Sequence, residues 1–282
     1  MSFHAALSPS RTKDFRQCPL LFRLRTIDRL PEPPSVEALR GTLVHSVLEH
    51  LFDMSAEDRS EQAAQDLLEP RWKAHIQKSP ADAELFATGQ EFDSWFSSAR
   101  TLIGNYFTME NPRFLQPDAR ESFINATLPS GLHIRGIIDR IDKAPNGALR
   151  VVDYKTGKSP NPRFQADAIF QMRFYAAALF IARGSLPART QLIYLKDGRT
   201  LTYDPVPADV DSLALELDST WSAIEERLDT GEFEAKTSPL CNWCRFQEFC
   251  PAFGGQAPPI DQEGVTKLRS AHLCHDQDTA VG

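Results

Sequence analysis

The sequence predicts an α/β fold in which a small mixed sheet is flanked by helices. Three observations lead to this expectation. Apolar residues recur at helical spacing through residues 41–54, as in an amphipathic helix. Residues 121–156 alternate between apolar and polar positions and contain turn signals, which is typical of neighbouring strands. A long apolar segment at 164–182 then returns to helical character before two shorter strand candidates.

The predicted elements follow one another in a simple order. Residues 31–34 (PEPP) break the chain before the 41–54 helix, and two or three further helices are predicted over 61–110. Strands are predicted over 121–128, 132–143, 148–156, 190–196 and 200–204, and further helices over 164–182 and about 209–228.

The composition bounds the class of protein. The chain has 282 residues, of which 41% are hydrophobic and 24% are charged, as in globular proteins. The longest apolar run, residues 174–182, is half of what a bilayer span needs, and the N-terminus shows no secretory signal. We therefore expect a cytoplasmic protein without membrane association, whose cysteines are thiols or metal ligands.

The net charge of −7 is unevenly distributed along the chain. Residues 10–29 carry six basic residues against two acids, and residues 135–173 carry eight against four. Residues 204–234 carry ten acids and one arginine. Such asymmetry can form a local basic surface for an anionic partner, although solvated helix faces of opposite sign are the commoner cause.

A hairpin loop at residues 145–147 (PNG) sets the register of two predicted strands. Pro suits the second position of a type I turn, and Gly suits the left-handed position that follows it. Counting outward from Asn146 places Asp139 opposite Asp153, so that both acids and Lys155 share one face of the sheet. A slip of one residue would move Asp139 to the other face.

This constellation points to hydrolytic chemistry. Two neighbouring carboxylates repel each other unless a positive charge lies between them, and a divalent cation with oxygen ligands supplies that charge. Lys155 beside the cation would orient a water molecule or neutralise charge on a phosphate, which suits phosphodiester hydrolysis. A surface Asp–Lys pair on an edge strand is the commoner origin of this spacing when it is taken alone.

Three residues on predicted helices strengthen the hypothesis. His45 lies just past the edge of the apolar stripe of the 41–54 helix, where it can reach an adjacent cleft. Gln171 and Tyr175 are four residues apart on the 164–182 helix and therefore share a face. Taken singly, a boundary histidine and a solvated polar face explain these residues as well.

The cysteines form a second constellation. Cys241, Cys244 and Cys250 have the spacing C-x-x-C-x5-C, which is a strong metal signal in an intracellular chain. Three clustered thiolates need a fourth partner, which Cys18 or Cys274 must supply. Four thiolates suit either zinc or an iron–sulfur cluster.

Four motifs in chain order resemble those of the RecB-type nucleases of the PD-(D/E)XK superfamily. The motifs are GTLVHSVLE, GIIDRID, VVDYKTG and QMRFY, and the resemblance runs from about residue 8 to 253. It implies a restriction-endonuclease-like core with an N-terminal helical subdomain and a C-terminal four-cysteine segment. On this basis residues 1–253 are one nuclease domain with a helical insertion at about 55–115, and residues 254–282 are a flexible tail.

The resemblance also implies roles for individual residues. The implied ligands of Mg²⁺ or Mn²⁺ are His45, Asp139, Asp153 and the backbone carbonyl of Tyr154. Lys155 is then the catalytic lysine, while Gln171 and Tyr175 support the site or hold the DNA. Glu121 begins the first β segment and is a candidate for a further acid.

Some members of this family, including AddB-type nuclease domains and CRISPR-adaptation nucleases, carry a [4Fe–4S] cluster. One cluster ligand precedes the nuclease motifs and three follow them, a pattern that Cys18, Cys241, Cys244 and Cys250 match. Zinc is the alternative, and Cys274 is interpreted as a spare thiol in the tail. A cluster that joins the two ends of the domain would contribute to stability as well as to activity.

The sequence therefore predicts a metal-dependent DNA nuclease, an exonuclease on single-stranded or frayed DNA ends, that serves DNA repair, recombination or related processing. A DNA-end-binding scaffold subunit of a helicase–nuclease complex and a zinc-stabilised interaction module are the alternatives. The motif GxxxxGK[ST] is absent from the sequence, so ATP-driven unwinding would come from a helicase partner.

Phosphate contacts are expected from basic side chains of residues 10–29 and from Arg135, Arg140, Lys158, Arg163 and Arg173. The aromatic residues Trp243, Phe246 and Phe249 would either stack on unpaired bases or pack around the thiolate site.

Overall fold

A computed structural model describes residues 6–270. At its centre lies a five-stranded sheet with the strand order β1-β2-β3-β4-β5. The strands are β1 (Pro117–Thr127), β2 (His133–Lys143), β3 (Leu149–Lys155), β4 (Arg189–Tyr194) and β5 (Arg199–Tyr203). Neighbouring strands are antiparallel except β3 and β4, which are parallel. The predicted α/β class with a small mixed sheet is therefore confirmed.

Helices cover both faces of this sheet. Those that the structure describes are α1 (Pro9–Gln17), α2 (Pro19–Phe22), α3 (Val36–Leu51), α4 (Glu61–Lys78), α5 (Gly89–Met109), α6 (Ala166–Arg183), α7 (Pro207–Thr230) and α8 (Gln262–Arg269). Helix α3 starts before the apolar stripe because the Ser35 side chain accepts the Ala38 N–H and caps the helix. Helix α6 makes the crossover that a parallel β3–β4 pair requires.

The β2–β3 hairpin has the predicted register. The Ala144 N–H donates to the Ala148 carbonyl at 2.9 Å, and Gly147 has a φ of +85° in the loop. Backbone pairing runs from Lys143–Leu149 to Arg140–Val152 and ends there. The next residues outward in this register are Asp139 and Asp153, so both acids lie where the two strands separate.

The sheet divides the interior into two hydrophobic cores. On one face, α6 and α7 pack against Ile141 and Val151 of the sheet. On the other face, α3, α4 and α5 pack against Val152 and Ile193. Successive residues of a strand point to opposite faces, so the two cores lie on opposite sides of the sheet. His45 on α3 and Gln171 on α6 therefore approach the strand ends from opposite sides.

The segment that follows the cysteines differs from the prediction. A flexible tail is expected from residue 254, but α8 buries Val265 and Leu268 against the α6–α7 core. The Asp261 N–H also donates to the Asp28 carboxylate at 2.9 Å. The prediction of a flexible tail is therefore wrong for residues 254–270. It failed because the segment is mostly polar and contains only one apolar pair at helical spacing, Val265 and Leu268. The rest of the expected tail, including Cys274, lies outside the described residues.

None of the helices described between residues 6 and 270 is both long enough and apolar enough to cross a bilayer. The cytoplasmic location expected from the sequence stays a prediction.

Candidate functional site

Asp153 is held between a lysine and a glutamine at the end of β3. Its side chain is only 6% exposed, and Lys155 Nζ lies 2.6 Å from its Oδ2 atom. From α6, Gln171 Nε2 donates to Asp153 Oδ1 at 2.8 Å. The structure thus brings together three of the residues that the sequence predicted for the site.

Asp139 is held by a backbone donor and approached by a histidine. Its Oδ2 atom accepts the Tyr154 N–H at 2.6 Å, and His45 Nδ1 from α3 lies 3.4 Å from the same atom. A carboxylate that receives a backbone hydrogen bond is fixed in orientation. The two predicted acids and His45 therefore lie together at the diverging ends of β2 and β3.

Tyr175 closes one wall of the site. Its hydroxyl accepts a hydrogen bond from Gln171 Nε2 at 3.2 Å, and its ring lies directly over Gly136 of β2. A Cβ atom at Gly136 would lie 2.9 Å from the Tyr175 ring, closer than real contacts allow. The glycine that precedes the acids in GIIDRID therefore serves to admit this ring.

Glu121 joins the site as a third acid, a role that its place at the start of a predicted β segment only hinted at. It lies on β1 between the pairs Arg120–Arg140 and Ser122–Ile138, which places it beside Asp139. Donor atoms of His45, Glu121 and Asp139 all lie within 4.8 Å of one another. The backbone of Glu121 has a φ of +42°, which is uncommon for a residue with a side chain.

A sequence signal for Glu121 exists in a second hairpin loop. The turn at residues 128–131 (LPSG) joins β1 to β2, and counting outward from Ser130 reaches Glu121 opposite Asp139. The count from the PNG loop, which relates β2 to β3, does not reach β1. One acid from each of three adjacent strands therefore meets at this end of the sheet.

Burial and crowding change the proton affinities of these groups. Burial, together with the charge of Asp139, raises the pKa of Asp153 to about 6. The same two causes raise the pKa of Glu121 to about 7. Burial opposes the charged form of His45, but the nearby Asp139 carboxylate outweighs it and raises the His45 pKa. Carboxylates crowded in this way are stabilised by a cation.

The residues present fit a hard divalent cation. The group within 4.8 Å contains two carboxylates and one imidazole, and carboxylate oxygens are the ligands that Mg²⁺ and Mn²⁺ prefer, while imidazole is accepted by Mn²⁺ and other transition ions. Asp153 is outside this closest group, because its two oxygens contact Lys155 and Gln171. The predicted ligand role of the Tyr154 carbonyl stays a prediction.

An open cleft of about 800 Å³ leads to the site. Lys155, Gln171 and Tyr175 are among the residues that line it. Its other walls come from the start of α1, from β1 and β2, and from the segment that follows β3. The cleft gives a large substrate access to the lysine.

One predicted phosphate contact is wrong. The Arg140 side chain is 1% exposed and pairs with Glu110 at 2.8 Å and with Asp142 at 2.9 Å, on the face of the sheet opposite Asp139. It also donates to the Tyr154 hydroxyl. A side chain enclosed in this way cannot reach a nucleic acid, so Arg140 has a structural role.

Other predicted basic contacts are neutralised within the chain. Arg16 and Arg173 both pair with Glu216, at 2.8 and 2.9 Å. Arg25 pairs with Glu32 at 2.6 Å. Among residues 6–270, we find no ion pair for Arg135, Lys158 or Arg163. The usable basic surface is therefore narrower than the count of charges indicated.

The four predicted cysteines line one hollow between α2 and the C-terminal segment. Cys18, Cys241, Cys244 and Cys250 all contribute to its wall. Backbone N–H groups of Lys236 and Ser238 donate to the sulfurs of Cys18 and Cys241, at 3.4 and 3.3 Å. Burial raises the pKa of the Cys244 thiol, and the other three thiols raise it further.

The aromatic residues around these cysteines divide between two roles. Phe246 is 2% exposed and packs with Leu20, Leu21 and Leu24 beside the cysteines. Trp243 is 74% exposed and lies away from this packing. Phe249 packs partly against the same leucine cluster. Packing around the thiolate site therefore explains Phe246 and Phe249.

The chain is similar to known proteins over most of its length. A family model described as the PD-(D/E)XK nuclease superfamily matches residues 6–251. The chain is 26% identical to the Gene 69 protein of Mycobacterium phage L5 over 286 residues, which cover 87% of this chain and 96% of that protein. It is also 31% identical over 122 residues to an ATP-dependent helicase/deoxyribonuclease subunit of Streptococcus mutans, covering 42% of this chain and 11% of that protein.

The fold is shared with a solved structure. The crystal structure of a candidate exonuclease from Eubacterium rectale has a TM-score of 0.54 to this chain and 15% sequence identity. The match covers 86% of this chain and 88% of that one. At this level of identity the likeness shows the common fold alone.

Proposed function

Since the chain belongs to the PD-(D/E)XK nuclease superfamily, we propose that it is a metal-dependent deoxyribonuclease that acts as an exonuclease on single-stranded or frayed DNA ends. The observation that carries this proposal is the meeting of Asp139, Asp153 and Lys155 at the end of the β2–β3 pairing, beside an open cleft. Each of these groups has a place in phosphodiester hydrolysis.

The metal ligands of this proposal are His45, Asp139, Asp153 and the Tyr154 carbonyl, with Glu121 as an additional carboxylate. When bound, Mg²⁺ or Mn²⁺ polarises the scissile phosphate and lowers the pKa of an attacking water molecule. The hydrogen bond from the Tyr154 N–H fixes the direction in which Asp139 presents its second oxygen. The chain thus pre-orients an acid that would otherwise rotate freely.

Lys155 is the proposed catalytic cation. Its side chain is 31% exposed, so the ammonium can leave Asp153 and donate to a phosphate oxygen in the cleft. Charge that develops on the phosphate in the transition state is stabilised by such a donor. Gln171 keeps Asp153 in place during this exchange, because its amide holds the other carboxylate oxygen.

Tyr175 serves as a protonated support. Burial and the charge of Asp153 raise its pKa, so its hydroxyl keeps its proton at neutral pH. The hydroxyl accepts from Gln171 and retains its own hydrogen for donation. Tyr175 and Gln171 together form the wall against which the substrate and Asp153 are positioned.

A [4Fe–4S] cluster on Cys18, Cys241, Cys244 and Cys250 is the proposed second cofactor. The four cysteines line one hollow between α2 and the C-terminal segment, and four thiolates are the ligand set of such a cluster. Zinc bound by the same four thiolates is the alternative.

A helicase partner and a role in DNA repair or recombination complete the proposal. They are supported by the partial similarity to a helicase/deoxyribonuclease subunit, which spans 42% of this chain. The given sequence contains no P-loop motif, so the proposal assigns ATP-driven unwinding to the helicase partner.

Cleavage of labelled single strands tests the proposal. Wild type, Asp153→Ala and Lys155→Ala would be compared on linear and circular strands with Mg²⁺ or Mn²⁺. The matched control is Lys143→Ala, which removes an exposed lysine at the loop end of β2. We expect the two site variants to lose about a hundredfold or more in rate, the control to retain activity, and the circular strand to resist cleavage.

Undiminished cleavage by both site variants would overturn the assignment of these residues. Rapid cleavage of the circular strand would contradict exonuclease action, since an exonuclease needs an end. Tight binding of DNA ends without any metal-dependent cleavage would favour the scaffold alternative.

A further inference from the structure

An exposed apolar strip lies beside the proposed catalytic site. Phe123 of β1 and Ile137 of β2 form a directly opposed pair across the two strands and are 58% and 49% exposed. Phe164, which ends the short helical turn Pro162–Phe164, is 76% exposed. All three side chains line the same cleft as Lys155. We call Phe123, Ile137 and Phe164 the apolar strip.

The strip lies close to the acids. Phe123 is two residues from Glu121 along β1, and Ile137 is two residues from Asp139 along β2. Both side chains also line the cleft that contains Lys155. Folding gains nothing from leaving such large apolar groups in water.

The charges around the strip identify the kind of ligand. Arg135 and Lys158 line the same cleft, and neither has an ion pair among the residues that the structure describes. A polymer with anionic phosphates and flat apolar faces complements such a surface. Unpaired nucleobases offer these faces, whereas the bases of an intact duplex are stacked on one another and enclosed.

We infer that Phe123 and Phe164 stack with unpaired bases of a nucleic-acid strand whose backbone passes Arg135 and Lys158 on its way to the acids. This inference rests on the proposed function and assigns the residues that select single strands. An exposed patch for a protein partner is the competing explanation, and it predicts no dependence on nucleobases.

Binding to a normal and to an abasic strand tests the inference. The two fluorescently labelled oligonucleotides have equal length and identical backbone charge, and anisotropy is measured with EDTA so that no cleavage occurs. Stacking of a base on an aromatic side chain changes the affinity by about tenfold, which corresponds to about 1.4 kcal/mol. We expect wild type to bind the normal strand about tenfold or more tightly than the abasic strand.

The variants separate stacking from other effects. Phe123→Ala/Phe164→Ala should lose the preference for the normal strand and keep its affinity for the abasic strand. Phe123→Trp/Phe164→Trp should retain the preference, because both rings can still stack. The matched control, Phe114→Ala/Phe180→Ala, removes two exposed rings that lie outside the cleft and should behave as wild type.

Equal binding of the two strands by wild type, or a preference that survives Phe123→Ala/Phe164→Ala, would overturn the inference. Cleavage of the normal strand by wild type with Mg²⁺ or Mn²⁺ is measured alongside. If wild type cleaves but shows no base preference, the stacking role alone fails. If wild type neither binds nor cleaves the strands, the proposed function fails and the stacking role with it.

Discussion

The Asp139 carboxylate accepts the Tyr154 N–H at 2.6 Å, at the point where backbone pairing between β2 and β3 has ended. One side chain thus satisfies a buried backbone donor and also faces His45. These two tasks can be separated by substitution.

Asp139→Asn should abolish most nuclease activity while leaving stability close to wild type. The amide oxygen can still accept the Tyr154 N–H, but the negative charge is lost. Asp139→Ala should be less stable than Asp139→Asn by about 1–3 kcal/mol, because the buried donor is left without a partner. Urea unfolding and cleavage assays check both effects. If the two variants were equally stable, the hydrogen bond from the Tyr154 N–H to residue 139 would not contribute to stability.

Gly136→Ala should disturb the site through Tyr175. The added Cβ would lie 2.9 Å from the Tyr175 ring, and crowding of this kind costs about 1–3 kcal/mol. The double variant Gly136→Ala/Tyr175→Ala has no clash. Its loss of unfolding free energy should therefore be smaller than the sum of the losses in the two single variants. A double-mutant cycle from denaturant unfolding measures this coupling. Strict additivity would mean that the ring and the glycine do not meet.

Stability of the metal-free protein should fall as the pH rises from about 5 to 8. The raised pKa values of Asp153 (about 6) and Glu121 (about 7) mean that the folded protein binds protons that the unfolded chain has already released. The raised pKa of His45 acts in the same direction, since its stabilising charge is lost as the pH increases.

Thermal unfolding in the presence of EDTA, measured from about pH 5 to 8, checks how steeply the stability falls with pH. Glu121→Gln and Asp153→Asn should each flatten this dependence, and Mg²⁺ or Mn²⁺ should stabilise most at the higher pH, where protons no longer compete. A stability that rises with pH in the metal-free wild type would contradict the prediction.

Loss of one cluster ligand should lower both the visible absorbance of the protein and its thermal stability. Protein purified without oxygen should absorb near 400 nm, and Cys18→Ser or Cys250→Ser should remove that absorbance. These residues join segments more than 200 residues apart, so the midpoint of thermal unfolding should also fall. Cys274→Ser is the matched control and should change neither quantity. A colourless wild type with stoichiometric zinc would refute the cluster.

The parts of the site that local patterns specify could be predicted from the sequence. Asn146 and Gly147 fix the hairpin loop, and alternation along the strands then fixes which residues lie at their diverging ends. Helical spacing likewise placed Gln171 and Tyr175 on one face, where they share a hydrogen bond.

The features that could not be predicted depend on distant partners. Arg140 resembles a surface cation in sequence, and only its pairing with Glu110, 30 residues earlier, shows why it is buried. The conformation of Glu121 depends on β1 meeting β2 beside the acids. In α8, two apolar residues in a polar segment become significant only against the helices they contact.

The side chains of the proposed site come from α3, β1, β2, β3 and α6, and they span residues 45 to 175 of the chain. No single hairpin or helix contains all of them. His45 comes from α3, which packs on the sheet face opposite α6. Catalytic competence should therefore emerge late during refolding, after the slow long-range contacts have formed. Recovery of activity would then report completion of folding more stringently than recovery of secondary structure does.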